Sequence, residues 1–405
     1  FIIMNNIKLD FPILDKKIRD KAITYLDSAA STQKPKQVIN SISEFLENSY
    51  ENVHRGMNSL SIDATDLYEK SRDVAKNFIN SNSTNEIIFT RGATDSINII
   101  ANSLAEHLKE GDKIVVTELE HHSNYLPWMN LCKKLGLELK IIPISKDGIL
   151  SEDDIINNCD DSTKVLSLTH MSNVTGQILD IKKIKKSINK DTYVAVDGCQ
   201  SIAHLKIDVK DLDCDFYSFS SHKLYGPSGI GIMYGKEDIL NKLNPPTLGG
   251  GMINEVSSND FSYAMLPNKF EPGTPSIEAA IGFKTAMEYL NNNNYQDYFL
   301  NEKKLRSTLI KALREFKEVD IYGSNEDGNA TSIVSFNIKN QNFNDIATFL
   351  DQYGIMIRGG HHCCQPFMKK LGIPGSCRVS FGIYNDLNDI DHFIDSLKKT
   401  LKLLQ

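Results

Sequence analysis

Short runs of β-branched and aromatic residues alternate along the middle of the chain with longer amphipathic stretches. Apolar residues Ile181, Ile184 and Ile188 recur at helical spacing in one such stretch, and another predicted helix over 95–108 is opened by Thr94. Strands with helices between them form a mostly parallel sheet that is covered on both faces. The pattern predicts an α/β fold with a mostly parallel seven-stranded sheet, whose strands are expected at 86–89, 113–116, 139–142, 165–168, 193–196, 216–219 and 231–234.

The alternation stops in a glycine-rich and proline-rich stretch that begins at Pro245 and runs to about Pro275. Such a stretch is typical of a functional loop or an interdomain crossing. Beyond it the sequence predicts a helix over 277–290, strands near 332–337 and 355–358, and a final helix over 387–404. We expect an N-terminal segment that packs with a small domain, a large domain, and the smaller α+β domain itself, at residues 1–23, 24–290 and 291–405.

Charge and hydropathy exclude several classes of partner. The 405 residues carry a net charge of −7 without a cluster of lysine and arginine, so we expect neither nucleic acid nor a membrane surface as a partner. No stretch reaches the roughly 18 apolar residues of a membrane span. Small molecules and other proteins are the partners that this composition favours.

Cysteine usage indicates the compartment. Seven cysteines, an odd number, are scattered over the chain, which disfavours a secreted disulfide framework and favours free thiols in a reducing environment. The opening residues Phe1 to Met4 are too few for a signal-peptide core. We expect a cytoplasmic protein, with an organelle stroma or matrix of the plastid type as the alternative if an upstream targeting segment has been removed.

The most informative segment runs from Ser220 to Gly231 and contains Lys223 directly after an apolar strand, beside His222 and before a glycine-rich turn. Buried lysines are rare unless they are used, and desolvation makes an amine nucleophilic, as a Schiff-base lysine requires. For a lysine taken alone, a strand end that reaches solvent is the competing interpretation.

A second strand upstream ends in Asp197, within Val194-Ala195-Val196-Asp197. Carboxyl ends of parallel strands are where α/β sheets place their ligands. An aspartate there can keep a pyridinium nitrogen protonated, which together with a lysine is the pairing that pyridoxal 5'-phosphate (PLP) needs. Asp197 alone can equally be a helix cap, but the two strand ends together indicate PLP.

Two further segments complete a possible cofactor site. Arg91-Gly92-Ala93-Thr94 turns from a strand into a helix, and a helix start of this kind offers free N–H groups and a hydroxyl to a phosphate, although a threonine cap explains it as well. His121 and His122 follow another strand, where an imidazole can stack on a cofactor ring or bind a metal. No third metal ligand stands nearby in the sequence.

Near the other end lies a glycine-rich loop with a histidine pair and two cysteines, Arg358-Gly359-Gly360-His361-His362-Cys363-Cys364, and Arg378 follows it. A partly exposed cysteine with cationic neighbours is in the environment of a nucleophile. The competing interpretation is a metal site at residues 361–364, but structural zinc ligands are normally spaced by two or more residues. Arg378 suits bidentate capture of a carboxylate, with a surface ion pair as the competing interpretation.

With these motifs in view, the chain resembles the cysteine desulfurases of the PLP-dependent fold-type I superfamily, and among them the SufS-type (group II) branch. The likeness runs from Tyr25-Leu26-Asp27-Ser28-Ala29-Ala30-Ser31 and Val53-His54-Arg55-Gly56 through the Lys223 segment to the Cys363 loop. The short Arg-x-Gly-His-His-Cys loop distinguishes this branch from the group I enzymes. The large domain is then the PLP-binding one.

The resemblance implies a set of cofactor contacts. Lys223 links to PLP and later moves protons, Asp197 pairs with the ring nitrogen, and His121 stacks on the ring. Gln200 bonds the ring oxygen, and Thr274 reaches in from the second subunit of a homodimer. The implied cofactor-binding residues are Lys223, Asp197, Gln200, His121, Thr94, Ala93, Ser220, His222 and Thr274.

The resemblance also implies the reaction. L-cysteine is converted to L-alanine while a persulfide forms on Cys363, with Lys223 and His121 as further catalytic residues. The sulfur then passes to a SufE-like or SufU-like acceptor protein for iron–sulfur cluster assembly. The implied substrate-binding residues are Arg378, Asn173, Arg358, His54 and Arg55.

The sequence departs from the usual family pattern at Cys199, Ser221 and Cys364. A second thiol at 364 can receive the persulfide sulfur or act as a small hydrophobic residue, and we favour the latter. Three other activities remain open: a selenocysteine lyase using the same PLP site, a metal-binding sulfur or iron carrier, and a plain aminotransferase. The last has no need of a nucleophilic loop thiol.

Overall fold

The computed structural model describes residues 7–323 and 329–404. Seventeen strands are present in this part of the chain. They are β1 (Lys17–Ile18), β2 (Lys21–Ala22), β3 (Thr24–Tyr25), β4 (Ile87–Thr90), β5 (Lys113–Thr117), β6 (Glu138–Ile142), β7 (Thr163–Thr169), β8 (Tyr193–Asp197), β9 (Phe216–Ser220), β10 (Gly231–Gly235), β11 (Ile253–Val256), β12 (Phe261–Tyr263), β13 (Val319–Tyr322), β14 (Ile333–Ile338), β15 (Ile355–Met356), β16 (Arg358–Gly360) and β17 (Ser376–Ser380).

The α-helices of the described residues surround these strands, with several short 3-10 turns between them. They are α1 (Lys36–Asn48), α2 (Ser59–Phe78), α3 (Ala93–Leu104), α4 (Leu126–Leu135), α5 (Glu152–Asn157), α6 (Ile181–Ser187), α7 (Ser201–His204), α8 (Val209–Leu212), α9 (Glu237–Lys242), α10 (Ile277–Asn292), α11 (Gln296–Arg314), α12 (Phe343–Asp351), α13 (Gln365–Leu371) and α14 (Leu387–Leu403).

The seven predicted strands form one sheet in the order β4-β10-β9-β8-β7-β5-β6. Only β10 runs against its two neighbours, so the sheet is mostly parallel, as expected. Alternate residues of each strand point to opposite faces, and both faces are buried except along the edge strand β6, which is partly exposed. Ile88 and Val116 pack on one side with Trp128 of α4, while Ile87 and Val115 belong to the core on the other side.

A second, four-stranded antiparallel sheet of order β13-β14-β17-β16 lies in the C-terminal part. Its core includes Leu309, Phe336 and Phe393, together with Leu26 from near the start of the chain. Phe11 packs edge-on against Tyr384 and also against Tyr225 and Tyr289. The division at residues 23 and 290 stays a prediction.

Several details differ from the sequence-based expectation. Helix α3 begins at Ala93 rather than Asp95, because Ser220 Oγ accepts the Ala93 N–H at 2.8 Å; Gly92, with φ of 148°, and not Thr94, precedes the first turn. The glycine-rich and proline-rich stretch contains the hairpin β11–β12. None of the helices in the described residues combines the length and apolar character that membrane crossing requires.

Candidate active site

A cavity of about 290 Å³ opens where the parallel strands end. Strands β8 and β9 are parallel neighbours, so Asp197 and Ser220 at their last positions lie at the same edge. Most of the predicted site residues meet in this cavity. Its lining includes Ala93, Thr94, His121, Asn173, Asp197, Ser220, His222, Lys223, Arg358, Cys363 and Arg378, together with Ala29, Ala30, Ser123, Cys199 and His362.

Lys223 ends a short 3-10 turn that follows β9. Among the described residues its Nζ has no hydrogen bond or ion pair, so the amine is free within the cavity. The Asp197 carboxylate is 5% exposed, and its Oδ1 accepts the Cys199 N–H at 2.9 Å. A free amine and a nearly buried carboxylate in one cavity are the pair that PLP requires.

The start of α3 forms a cradle for an anion. Gly92 adopts a φ of 148°, and a Cβ there would lie 3.2 Å from Ser220 Oγ, so glycine permits the close approach of the two loops. Thr94 Oγ1 contacts Ser123 Oγ at 2.7 Å. The positive end of this 12-residue helix and the nearby hydroxyls fit a phosphate group, so the residues present fit PLP.

His121 is held in one tautomer. Its Nδ1 accepts the Ser123 N–H at 3.1 Å, which leaves the proton on Nε2 of the neutral ring. Burial, reinforced by the charge of Lys223, lowers the pKa of His121 to about 3. Burial likewise lowers the pKa of His222 to about 4, with Lys223 and Lys34 adding to the shift. Both rings are therefore neutral at pH 7.

The loop after β16 places Cys363 at the cavity with its side chain exposed. His362 and Cys363 both have left-handed backbones, with φ of 53° and 55°. Two hydrogen bonds to main-chain carbonyls hold them: His122 N–H donates to Cys363 O at 2.7 Å, and Asn173 Nδ2 donates to His362 O at 2.8 Å. The nucleophile is thus presented on a short, tightly turned loop.

Neighbouring loop residues point in different directions. Cys364 is fully buried, with Sγ 3.3 Å from Glu120 O, and burial raises the pKa of its thiol. His362 Nε2 lies 3.0 Å from Ser376 O inside the protein. The residues between 361 and 364 therefore do not converge on one point, and no group of three or more potential metal ligands occurs within 7–323 and 329–404.

Two arginines face the cavity and share one carboxylate. Arg378 is 2% exposed and donates to Asn173 O at 3.0 Å and to Asp27 Oδ1 at 3.2 Å, while Arg358 lies 2.9 Å from Asp27 Oδ2. Burial lowers the pKa of Arg378, and the charge of Asp27 opposes that shift. Two cations against one anion leave positive charge for a substrate carboxylate.

The sequence alone indicates no role for Asp27, although residues 25–31 contribute to the family likeness. The available signal is that Asp27 is the one charged residue in that segment. Ser123, which fixes the tautomer of His121, was missed for lack of any local signal. Both residues contact predicted site residues: Ser123 contacts His121, and Asp27 contacts the two arginines.

Four predicted residues lie outside the cavity within one chain. Gln200 is buried and donates to Ala29 O at 2.8 Å. Thr274 lines another cavity of about 370 Å³, His54 pairs with Glu69 at 2.9 Å, and Arg55 lines a surface groove with Phe261. Their binding roles stay predictions, as do those of the residues that line the cavity.

Comparisons with known proteins agree with this geometry. The model of the class-V aminotransferase family matches residues 24–393. A probable cysteine desulfurase of Staphylococcus epidermidis is 44% identical over 393 residues, 96% of this chain and 95% of the relative, and one of Staphylococcus aureus is 42% identical over 399 residues, 98% of this chain and 96% of the relative.

Solved structures give the same result. The apo structure of a cysteine desulfurase from Thermococcus onnurineus has a TM-score of 0.93 and 36% identity, with 98% of both chains covered. A cysteine desulfurase of Escherichia coli in its S-sulfonic acid form has a TM-score of 0.90 and 32% identity, with the same coverage. These likenesses confirm the expected fold class.

Proposed function

The chain belongs to the class-V aminotransferase family, and from that premise we infer that it is a PLP-dependent cysteine desulfurase of the SufS type. It converts L-cysteine to L-alanine and retains the sulfur as a persulfide on Cys363. The observation that carries this proposal is the exposed Cys363 at a cavity that also holds Lys223 and Asp197.

The cofactor would be held by residues already in place. Asp197 would pair with the ring nitrogen, Lys223 would supply the covalent link, and the start of α3 with Ser220 would hold the phosphate. When bound, PLP supplies an electron sink for the substrate carbon. Gln200, His222 and Thr274 complete the proposed cofactor contacts.

The protein side chains would bind the substrate and transfer its proton. Arg378 and Arg358 would bind the substrate carboxylate, with Asn173 beside it. Lys223 Nζ, which has no other partner in the described structure, is the group free to take up the α-proton. His121 would keep its proton on Nε2, toward the substrate.

Sulfur transfer would be a displacement at the substrate sulfur. Cys363 Sγ attacks as the thiolate, an S–S bond forms, the C–S bond of the substrate breaks, and its electron pair stays with the carbon that becomes the alanine methyl group. Cysteine and one enzyme thiol thus yield alanine and one enzyme persulfide, without an external oxidant or reductant.

We further propose that the enzyme is a homodimer in which Thr274 reaches the site of the partner subunit, and that His54 and Arg55 contribute to substrate binding. The sulfur acceptor would be a SufE-like or SufU-like protein of an iron–sulfur cluster pathway. All cysteines of the described residues are free, which supports a reducing, cytoplasmic location, or an organelle stroma or matrix.

The experiment measures alanine and sulfide production from L-cysteine with a thiol reductant. Cys363→Ser is expected to lower the rate by on the order of 100-fold or more, because the nucleophile is lost. Cys159→Ser removes a half-buried thiol outside the cavity and serves as the matched control. Wild-type activity of Cys363→Ser would refute the assignment of the nucleophile.

Two further measurements complete the test. Lys223→Ala should abolish the visible absorption band of the PLP-bound protein, because the covalent link is lost. Rates on L-selenocysteine decide the alternative of a selenocysteine lyase. A lyase would keep its rate on that substrate in the Cys363→Ser variant and would act poorly on L-cysteine.

A further inference from the structure

Residues 31–34 form hydrogen bonds with the main chain on both sides of Lys223, and we refer to this segment as the 31–34 clamp. On one side the clamp donates hydrogen bonds to the carbonyl of His222, which directly precedes Lys223. On the other side Thr32 Oγ1 accepts the N–H of Tyr225 at 2.8 Å. The Lys223 side chain has no hydrogen-bond partner of its own in the described structure, so these contacts fix only the main chain from which it starts.

The carbonyl oxygen of His222 receives an unusual number of donors. A carbonyl oxygen has two lone pairs. This one lies within hydrogen-bond distance of four donors from the clamp: Thr32 N at 3.0 Å, Thr32 Oγ1 at 3.1 Å, Ser31 Oγ at 3.2 Å and Lys34 Nζ at 2.9 Å. Of these, only Lys34 brings a charge.

Lys34 has no carboxylate partner among the described residues. Its ammonium donates to two main-chain carbonyls, Thr32 O at 2.5 Å and His222 O at 2.9 Å. Burial lowers the pKa of Lys34 to about 8. The side chain is half-buried, and partial loss of water around an ammonium without a counter-charge is unfavourable unless hydrogen bonds compensate. Here those bonds are directed at the turn that carries Lys223.

The backbone beyond Lys223 also needs external support. Tyr225 adopts a φ of 62°, an uncommon conformation for a bulky residue that persists only where neighbours hold it. Besides the N–H bond to Thr32, its hydroxyl accepts the Ile383 N–H at 3.0 Å. The turn is therefore held by its surroundings rather than by its own local preference.

We propose that Lys34 is a positioning residue for Lys223: through the His222 carbonyl it fixes the turn from which the Lys223 amine enters the cavity. This inference rests on the proposed function, since it assumes that Lys223 is the residue that bonds PLP. Loss of the visible band in Lys223→Ala tests that assumption separately from anything done at Lys34.

The test uses the full-length apoprotein and PLP as the probe. Lys34→Met keeps the length of the side chain and removes its charge. We expect the rate of PLP association, followed by absorbance, to fall about tenfold, the size expected for a lost charge-assisted hydrogen bond. The visible circular dichroism of bound PLP should weaken, and amide hydrogen exchange at 221–226 should accelerate in the apoprotein. Lys146→Met, at an exposed position without a described partner, should match the wild type.

Rescue separates positioning from a general structural role. Lys34→Arg retains a charged donor and should return the association rate to within about threefold of the wild type. The proposal is overturned if Lys34→Met behaves like the wild type, or if Lys34→Arg is as impaired as Lys34→Met and both lose thermal stability.

A second variant covers the case in which Lys34→Met does not fold. Thr32→Val removes a hydroxyl that donates to the same carbonyl and accepts the Tyr225 N–H, without changing any charge. Slower PLP association in Thr32→Val supports the clamp. Wild-type association in that variant overturns it.

Discussion

At the scale of single residues, two adjacent thiols have opposite surroundings. Cys363 is exposed at the cavity, whereas Cys364 is fully buried, with its Sγ against the carbonyls of Glu118 and Glu120 in the turn that follows β5. Burial raises the pKa of the Cys364 thiol, so this residue stays protonated and cannot act as a thiolate nucleophile. We interpret Cys364 as a packing residue.

Cys364→Ala tests this interpretation. We expect the rate of alanine formation to stay within about twofold of the wild type, and stability to fall by about 1 kcal/mol through the loss of one buried atom. Peptide mass spectrometry after incubation with L-cysteine should find the persulfide on Cys363 in both proteins. Detection of the persulfide on residue 364 of the wild type would show a sulfur relay instead.

At the scale of elements, the free edge of strand β4 forms its hydrogen bonds with side chains rather than with another strand. Glu271 Oε1 accepts the Phe89 N–H at 2.7 Å, and Arg72 donates to Ile87 O at 2.7 Å. Arg72 is fully buried and pairs with Glu271 at 2.6 Å. Removal of one partner of such a pair leaves an uncompensated buried charge.

Arg72→Met should therefore lower the free energy of unfolding by about 3 kcal/mol or more, whereas the double variant Arg72→Met/Glu271→Met should cost less than the two single changes added together. Urea unfolding of the apoprotein measures this through Trp128, the single tryptophan of the chain. Additive single effects would mean that the two charges do not stabilise each other.

The helices and strands show which parts of the fold can be predicted from the local sequence pattern. Periodicity and composition locate all seven strands of the main sheet, because six of them are buried on both faces and are therefore rich in apolar residues, and the partly exposed edge strand β6 still contains Leu139, Ile141 and Ile142. They do not locate the start of α3, since the Ser220 hydroxyl that meets Ala93 comes from a strand 127 residues further along the chain. Helices α1 and α2 precede the alternating region and were not assigned from sequence.

At the scale of the whole molecule, buried histidines make stability depend on pH. Burial lowers the pKa of four of them below that of an exposed histidine: His121 to about 3, His170 to about 4, His222 to about 4 and His362 to about 2. In the unfolded chain these groups gain protons below about pH 6.5, while in the folded protein they stay neutral. Stability is therefore lost as the pH falls from 6.5 toward 4.

The urea midpoint of the apoprotein should fall between pH 7 and pH 5, with up to about 1 kcal/mol for each of these histidines and each pH unit. Glu120, whose pKa burial raises to about 8, and Glu302, whose pKa burial also raises, act in the opposite sense, but they are two groups against four histidines. His170→Asn should make the fall shallower, and His107→Asn, at an exposed position, should not. An equal slope in both variants would contradict this account.

Contacts that depend on the fold of the whole molecule limit how much of the site could be predicted from the sequence. Strand-end residues such as Asp197 and Lys223 were predictable because parallel topology brings them to one edge. Asp27 was not, because its contacts with Arg358 and Arg378 join positions 331 and 351 residues apart. Which arginine a carboxylate meets at that separation depends on the packing of the complete chain.

The left-handed pair His362 and Cys363 has an energetic consequence. Each residue is held in a conformation that costs an ordinary side chain about 1 kcal/mol, and the two carbonyl hydrogen bonds that hold the pair return a similar amount. The strain at the loop tip is therefore offset by bonds from two other parts of the chain, Asn173 and the main chain of His122. The place of Cys363 over the cavity depends on those distant parts of the chain and not on the local preference of its own loop.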